Sequence, residues 1–384
     1  MRDDGVHDAK RLAELQALPL NRKIQITQTR LIEWYQYWRG KVCVSFSGGK
    51  DSTVLLNIAR EIYPDIPAVF SNTGLEYASI QRFVRQFGNV DIVAPRMRFD
   101  EVVSVYGYPV ISKEASNSIY YARRILSNPH VGGEKTTWRN RQELLGLRRS
   151  SPTSKKEMSQ FNKDKWLPAV ELPFLISHFC CDKTKQEPLQ RYQREHKYAP
   201  IVATLTEESR LRKQAWYRNG CNAFGAEEPK SQPMSFWKEQ DVLAYIVRYG
   251  IEIASVYGDV VMKDDGGNIY PMDDDLRAPY CHLECTGCKR TGCVYCCFGA
   301  HRDKDGEKRF LLLADYEPRQ YEYAMSGGQW VDNPYYDPVA PKYDGDWKNW
   351  NPKQIWVPSK KGLGIAKVID MMNEIYGKDF IQYQ

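Results

Sequence analysis

The sequence predicts an α/β protein built on a Rossmann-like, doubly wound, mainly parallel sheet. Three observations carry that expectation. Short β-rich runs alternate with amphipathic helical runs from residue 41 to about residue 94. A glycine-rich loop joins the first strand to the first helix of that alternation. The β-rich pattern then resumes at Ile201–Leu205, after a polar interruption. Strand–helix alternation implies right-handed crossovers and hence parallel strands.

Each element has its own warrant. Residues 24–39 place apolar side chains at helical spacing. Lys41–Phe46 is a short β-rich run, and the helix that follows it is stopped by Pro64. Ala68–Ser71 is the second strand, 77–88 the next helix and Val90–Ala94 the third strand. Residues 122–166 interrupt the pattern: from Arg123 to Lys165 there are 11 Lys/Arg against 4 Asp/Glu, with Gly, Ser and Pro scattered through. This stretch reads as a partly flexible basic insertion or lid. Residues 236–249 form a further helix. A cysteine-rich segment follows. The remainder is an irregular, Tyr- and Trp-rich tail with one helix at 364–377. The expected division is 1–121 for nucleotide binding, 122–170 for the insertion, 171–255 for the rest of the α/β domain, 256–310 for the cysteine segment and 311–384 for the tail.

Composition narrows the class. In 384 residues, 42% are hydrophobic and 27% charged, as in a globular protein. Mean hydropathy is −0.59, and no apolar run approaches the ~20 residues of a membrane span. The charged N-terminus lacks an apolar signal core, so a cytoplasmic location without a membrane is expected. The net charge of +6 suits an anionic ligand without specifying nucleic acid. Six of the ten cysteines fall between Cys281 and Cys297, and Cys180 and Cys181 are adjacent. In a chain of this length, such clustering points to metal ligation in a reducing compartment.

The loop Ser45-Phe46-Ser47-Gly48-Gly49-Lys50-Asp51-Ser52 carries the first functional expectation. Two glycines admit an anion close to the backbone. The helix that follows presents free N–H groups and the positive end of its dipole. Ser47 and Ser52 add hydroxyls and Lys50 a point charge. It is not a Walker A loop, because position 44 is Val where that motif needs Gly. Asp51 beside a phosphate implies a bridging Mg²⁺. The bland alternative is a Gly-Gly turn capping a helix. The hexapeptide resembles the PP-loop of N-type ATP pyrophosphatases, a superfamily of adenine nucleotide alpha hydrolase-like fold that includes the phosphoadenosine phosphosulfate (PAPS) reductases. That resemblance implies ATP, APS or PAPS as the nucleotide. It implies nucleotide contacts from Ser45, Ser47, Gly48, Gly49, Lys50, Asp51 and Ser52.

Three further elements resemble parts of the same family. Asn72-Thr73-Gly74 resembles its D-T-G element, with Asn72 where Asp is frequent. Glu208, Ser209 and Arg212 fit the spacing of its E-S-x-x-R element. By the resemblance Asn72, Thr73, Gly74 and Ser209 contact the nucleotide, while Lys50, Asp51, Glu208 and Arg212 are catalytic. The local alternative for 206–209 is a helix N-terminus with Thr206 as N-cap. Cys180-Cys181-x3-Lys185-x2-Pro188-Leu189 resembles the C-C-x-x-x-K-x-x-P-L element of the iron–sulfur members.

Cys281-x3-Cys285-x2-Cys288-x4-Cys293-x2-Cys296-Cys297 supplies more thiolates than one metal needs. The all-sulfur donor set suits Zn²⁺ or an iron–sulfur cluster. A zinc knuckle would use Cys285, Cys288, Cys293 and Cys296. Arg290-Thr291-Gly292-Cys293-x2-Cys296 with Phe298-Gly299 resembles the R-T-G-C-x-x-C-x-F-G element of PAPS-reductase-like proteins. That resemblance implies a [4Fe–4S] cluster on Cys180, Cys181, Cys293 and Cys296, with Cys285 and Cys288 in reserve or exchanging sulfur.

Two departures from the sulfate reductases shape the functional expectation. SGGKDS is intact, and residues 298–384 contain no cysteine to match the reductases' tail thiol. The leading expectation is an ATP-dependent enzyme that releases pyrophosphate and transfers sulfur to an adenylated acceptor. DNA or tRNA is the acceptor considered, met by the basic 122–166 segment, and a cysteine desulfurase or thioredoxin-like protein is the donor. The alternatives are an APS/PAPS reductase in which Cys221 replaces the tail thiol, and a non-catalytic nucleotide-binding subunit.

Overall fold

The computed structural model describes residues 7–123, 133–150, 157–271 and 281–384. The chain divides into two compact units, Met1–Pro95 with Lys185–Thr291, and Arg96–Thr184 with Gly292–Gln384. Each unit is built from two separate stretches of chain. This division cuts across the consecutive segments expected from the sequence.

The first unit is organised by a six-stranded sheet in the order Val90–Val93, Ala68–Ser71, Val42–Ser45, Ala199–Val202, Lys230–Ser231, Asn222–Ala223. The first five strands pair in parallel, and the last pair is antiparallel. Val42, Cys43, Val44, Ala68 and Val69 are wholly buried, as expected of a parallel strand covered on both faces. Val54, Leu55 and Ile58 of helix Lys50–Ile62 are also wholly buried. The chain steps from Val42–Ser45 outward through two strands, then returns to the other side of Val42–Ser45 with Ala199–Val202. The order therefore reverses beside Val42–Ser45. The crevice at the carboxyl ends of such strands is where open α/β sheets bind ligands.

The second unit holds helices Phe99–Tyr106, Lys113–Arg123, Glu134–Leu144 and Ile365–Tyr376, with small two-stranded pairings between them. Val110–Ile111 pairs in parallel with Cys297–Phe298. The segment read from sequence as a tail packs as part of this unit, with Leu313, Val368, Ile369 and Met372 fully buried. The described part of the basic stretch is helical, not loop, over Glu134–Leu144. It is anchored by the buried carboxylate of Glu143, which accepts from Ser118, Lys163 and Arg148. Residues 124–132 and 151–156 of that stretch lie outside the described residues. No helix among the described residues is long and apolar enough to cross a membrane.

Candidate nucleotide and thiolate sites

The loop after Val42–Ser45 closes on itself through its own hydroxyls. Ser47 Oγ lies 2.9 Å from Ser52 Oγ, the Ser47 amide donates to Ser52 Oγ at 3.2 Å, and the Gly49 amide to Ser47 Oγ at 3.3 Å. Ser52 and Thr53 hydroxyls both donate to the Gly49 carbonyl, at 2.9 and 3.0 Å. Gly49 is the N-cap of helix Lys50–Ile62. Gly48 has a φ of +69°, and a Cβ there would stand 2.8 Å from methyl groups of both Ile80 and Val84. Only glycine fits that pair of constraints. Gly48 is covered, while Ser47 is exposed and Gly49 half-buried, so the loop's open side is formed by the latter two.

Charged side chains converge on this loop. Lys50 is buried, donates to Glu239 Oε1 at 3.0 Å and to the Cys285 thiol, and lies 5.3 Å from the Tyr257 ring centre. Burial raises the pKa of Asp51 above the ordinary carboxylate value; Lys50, Arg212 and Arg290 oppose that rise and Glu239 adds to it. Arg212 pairs with Glu208, and Arg290 stands 4.0 Å from the same carboxylate. Tyr257 Oη meets Thr291 Oγ1 at 2.5 Å. Lys50, Asp51, Glu208 and Arg212 thus share one charge network at the sheet's switch point. Ser209 serves as N-cap of helix Arg210–Asn219, accepting from the Arg212 amide at 3.2 Å. The capping role expected of Thr206 falls to Ser209 instead. Thr206 occupies a separate 3₁₀ turn, where its hydroxyl accepts from Gln16 at 3.4 Å.

Asn72, Thr73 and Gly74 follow Ala68–Ser71 at the same sheet edge. Their polar groups are turned inward. Thr73 donates from both amide and hydroxyl to the buried Glu76, at 3.1 and 2.8 Å. The Gly74 amide donates to Asn72 Oδ1 at 3.2 Å. These bonds set the shape of the turn, with Gly74 at a φ of +72°.

The second unit assembles the other site. Cys180 is buried, and Cys293, Cys181 and Cys296 act electrostatically on it. Cys296 feels Cys293, Cys181 and Cys297 in turn. Burial first, then these neighbours, drive the thiols of Cys180 and Cys296 well above the ordinary range. Cys180 and Cys181 open a helical run that continues as a π-turn over Asp182–Gln186, a feature frequent at functional sites. Arg309 donates to the carbonyls of Cys296 and Phe298 at 3.0 and 2.8 Å, fixing the other segment. Ile111, in the strand beside Cys297–Phe298, holds a φ of +65°, a strained state for a β-branched residue. The structure therefore gathers Cys180, Cys181, Cys293 and Cys296. Among the described residues, no three His, Cys, Asp or Glu side chains stand in a geometry for a single metal ion. Cys180 is buried and the other three thiols are partly exposed, a set of four that suits a group taking one thiolate per iron.

The remaining thiols divide differently. Cys285 and Cys288 belong to the first unit, beside Lys50 and Tyr77 respectively. Cys221 packs against Ser235 at 3.4 Å.

Residues 41–119 match the family model for the phosphoadenosine phosphosulfate reductase domain. That match takes in the first three parallel strands and the helices between them. An adenosine 5'-phosphosulfate reductase of Staphylococcus haemolyticus is 28% identical over 153 residues, covering 38% of this chain and 60% of that protein. One of Geobacillus kaustophilus is 23% identical over 215 residues, covering 51% and 87%. The first curated relatives are matched over about three-fifths of their length. A solved PAPS reductase from Candida auris, in complex with phosphate, aligns with a TM-score of 0.32 and 13% identity, covering 65% of this chain and 90% of that one.

Sequence reasoning missed Glu239, Tyr257 and Cys285 as neighbours of Lys50. Glu239 opens helix Glu239–Tyr249, and its amide donates to Glu207. A carboxylate in a helix's first turn is common enough to pass as a dipole partner. Nothing local to its sequence announced that it faces Lys50.

Proposed function

We propose that this chain is a PAPS-reductase-like enzyme that binds ATP at Ser47–Ser52, cleaves it between the α and β phosphates, and transfers sulfur to the adenylated acceptor. The observation that carries this reading is the meeting of Lys50, Arg212 and Arg290 around Asp51 beside an ordered phosphate loop. An acceptor oxygen would attack the α phosphorus, breaking the α–β bridge and releasing pyrophosphate. A sulfur nucleophile would then displace AMP. Charge developing on the leaving pyrophosphate would be met by Lys50 and the loop amides, preorganised as such chemistry requires. Asp51 would hold Mg²⁺, which needs only one or two carboxylates when phosphates complete its shell. The ion would relieve the repulsion between Asp51 and phosphate and free Lys50 from Glu239. Arg212 would remain tethered by Glu208.

Cys180, Cys181, Cys293 and Cys296 would hold a [4Fe–4S] cluster, with zinc as the alternative. An iron–sulfur cluster would supply a sulfur-rich, redox-capable centre, whereas zinc would only organise the thiolates. Arg309 and the Val110–Ile111 pairing would keep the second pair of thiols in place.

The test is product analysis with ATP, Mg²⁺, an oligonucleotide acceptor, sulfide as the sulfur nucleophile and the anaerobically purified chain. Pyrophosphate and AMP are expected, and Lys50→Ala should weaken ATP binding at least tenfold. Unchanged affinity in that variant would sink the phosphate-loop reading. A second reading, reduction of adenylylated sulfate with a thioredoxin-like donor, is favoured by the activity named for the relatives. Sulfite from that substrate, without pyrophosphate from ATP, would establish it in place of the first.

A further inference from the structure

The basic stretch contains a groove that the nucleotide and thiolate sites leave unused. Helix Glu134–Leu144 buries Thr137, Asn140 and Leu144 on one side. Its other side carries Lys135, Trp138 and Arg139, and with Leu147, Arg148 and Arg149 it lines a cavity of about 980 Å³. That is the upper end of the ~300–1,000 Å³ of ligand clefts. Trp138 is 66% exposed, and Leu147 and Phe161 are about half exposed. A contiguous exposed apolar patch rimmed by polar residues is a mark of an interaction site. The lining holds four cations and a single carboxylate, Glu134. Arg148 pairs with the buried Glu143 and stands 5.1 Å over the Phe161 ring, so its guanidinium is held in place. Arg139 reaches the same carboxylate at 3.5 Å. Neither Lys135 nor Arg149 forms an ion pair among the described residues.

We propose that this groove binds single-stranded nucleic acid, with a base stacked on Trp138 and phosphates met by Lys135, Arg139 and Arg149. An indole face flanked by cations is the chemistry that grips unpaired bases regardless of sequence. A duplex keeps its bases stacked and cannot offer one to Trp138. An acidic peptide would satisfy the cations but leave the indole without a flat partner. The inference deepens the reading above by naming the acceptor class, but direct binding tests it without turnover. Failure here therefore stays distinguishable from failure of ATP cleavage.

The experiment is fluorescence anisotropy of labelled oligo-dT with the full chain, at about 50 mM salt and upward. Micromolar or tighter binding is expected, with log affinity falling by about 0.7 per contacted phosphate for each tenfold rise in salt. Three contacts give a slope near −2. Trp138→Ala should weaken binding about tenfold, with Trp138→Phe restoring most of it. Lys135→Glu with Arg149→Glu should weaken binding similarly and flatten the salt slope. Unchanged melting curves would confirm that these surface variants fold. The proposal is overturned by no binding at 50 mM salt, by unchanged affinity in Trp138→Ala, or by duplex DNA or poly-glutamate competing as well as unlabelled oligo-dT.

Discussion

In the Ser47–Ser52 loop, Ser47, Gly49 and Ser52 bond to one another within six residues of chain, whereas Cys180 and Cys181 meet Cys293 and Cys296 from segments more than a hundred residues apart. The loop's polar groups are satisfied before any ligand arrives, so it is preformed. The thiols gain nothing from their own proximity. Burial, and then the neighbouring thiols, favour the protonated forms of Cys180 and Cys296. A metal must displace those protons, so its binding is coupled both to pH and to the stability of the second unit. On the proposed reading, one site would be ready for its ligand and the other would be completed by it.

The largest effect that would break this contrast comes from the thiols. Cys296→Ser should abolish most bound iron and sulfide after anaerobic purification, and lower the melting temperature of the metal-loaded protein. Stoichiometric zinc without sulfide would assign the site to zinc instead. Because each ligand loses a proton on binding, metal affinity should rise with pH, as competition with a chelator can measure.

Glu143 offers an intermediate case, a buried charge in the second unit that is satisfied without metal. Removing it as Glu143→Ala strands Arg148 and Lys163 and should cost about 3 kcal/mol in denaturant unfolding. Burial works against its ionisation, yet hydrogen bonds and charge from Lys163, with Ser118 and Arg148, hold its pKa below the ordinary carboxylate value. A carboxylate depressed in the folded state binds fewer protons there than when unfolded. Its stabilisation is therefore present above pH 4.5 and fades as the pH falls through the folded value. The Glu143→Ala variant should lack that part of the acid dependence.

The smallest effect separates the two loop glycines. Gly48→Ala meets a positive φ and two methyls, and should cost about 1–2 kcal/mol from the backbone alone. Gly49→Ala has a φ of −79° and its nearest neighbour at 3.2 Å, and should cost less. Equal losses by urea titration would contradict the view that Gly48 is conformational and Gly49 faces the ligand.

Much of the first unit was legible because its information is local. Ala68–Ser71 was read to the residue, and the strands and helices around it to within a few residues. Alternating period and a glycine loop need no knowledge of distant chain. The second unit was less legible. Residues 311–384 read as a tail because their short strands and aromatic turns carry no period, although they pack into a buried core. Ser209 takes the cap expected of Thr206, whose hydroxyl accepts from Gln16, almost two hundred residues away, a contact that no local stretch announces.

By itself the sequence determined the strand–loop–helix after Val42–Ser45, the parallel character of the sheet, and the clustering of eight cysteines in two short segments. These follow from backbone sterics and side-chain type within a few residues. Only the tertiary structure decided that Glu239, Tyr257 and Cys285 surround Lys50, that Cys285 and Cys288 belong to one compact unit and Cys293 and Cys296 to the other, and that Trp138 is exposed. Those are outcomes of how distant segments pack, and packing is set by the whole core, not by any stretch that can be read alone.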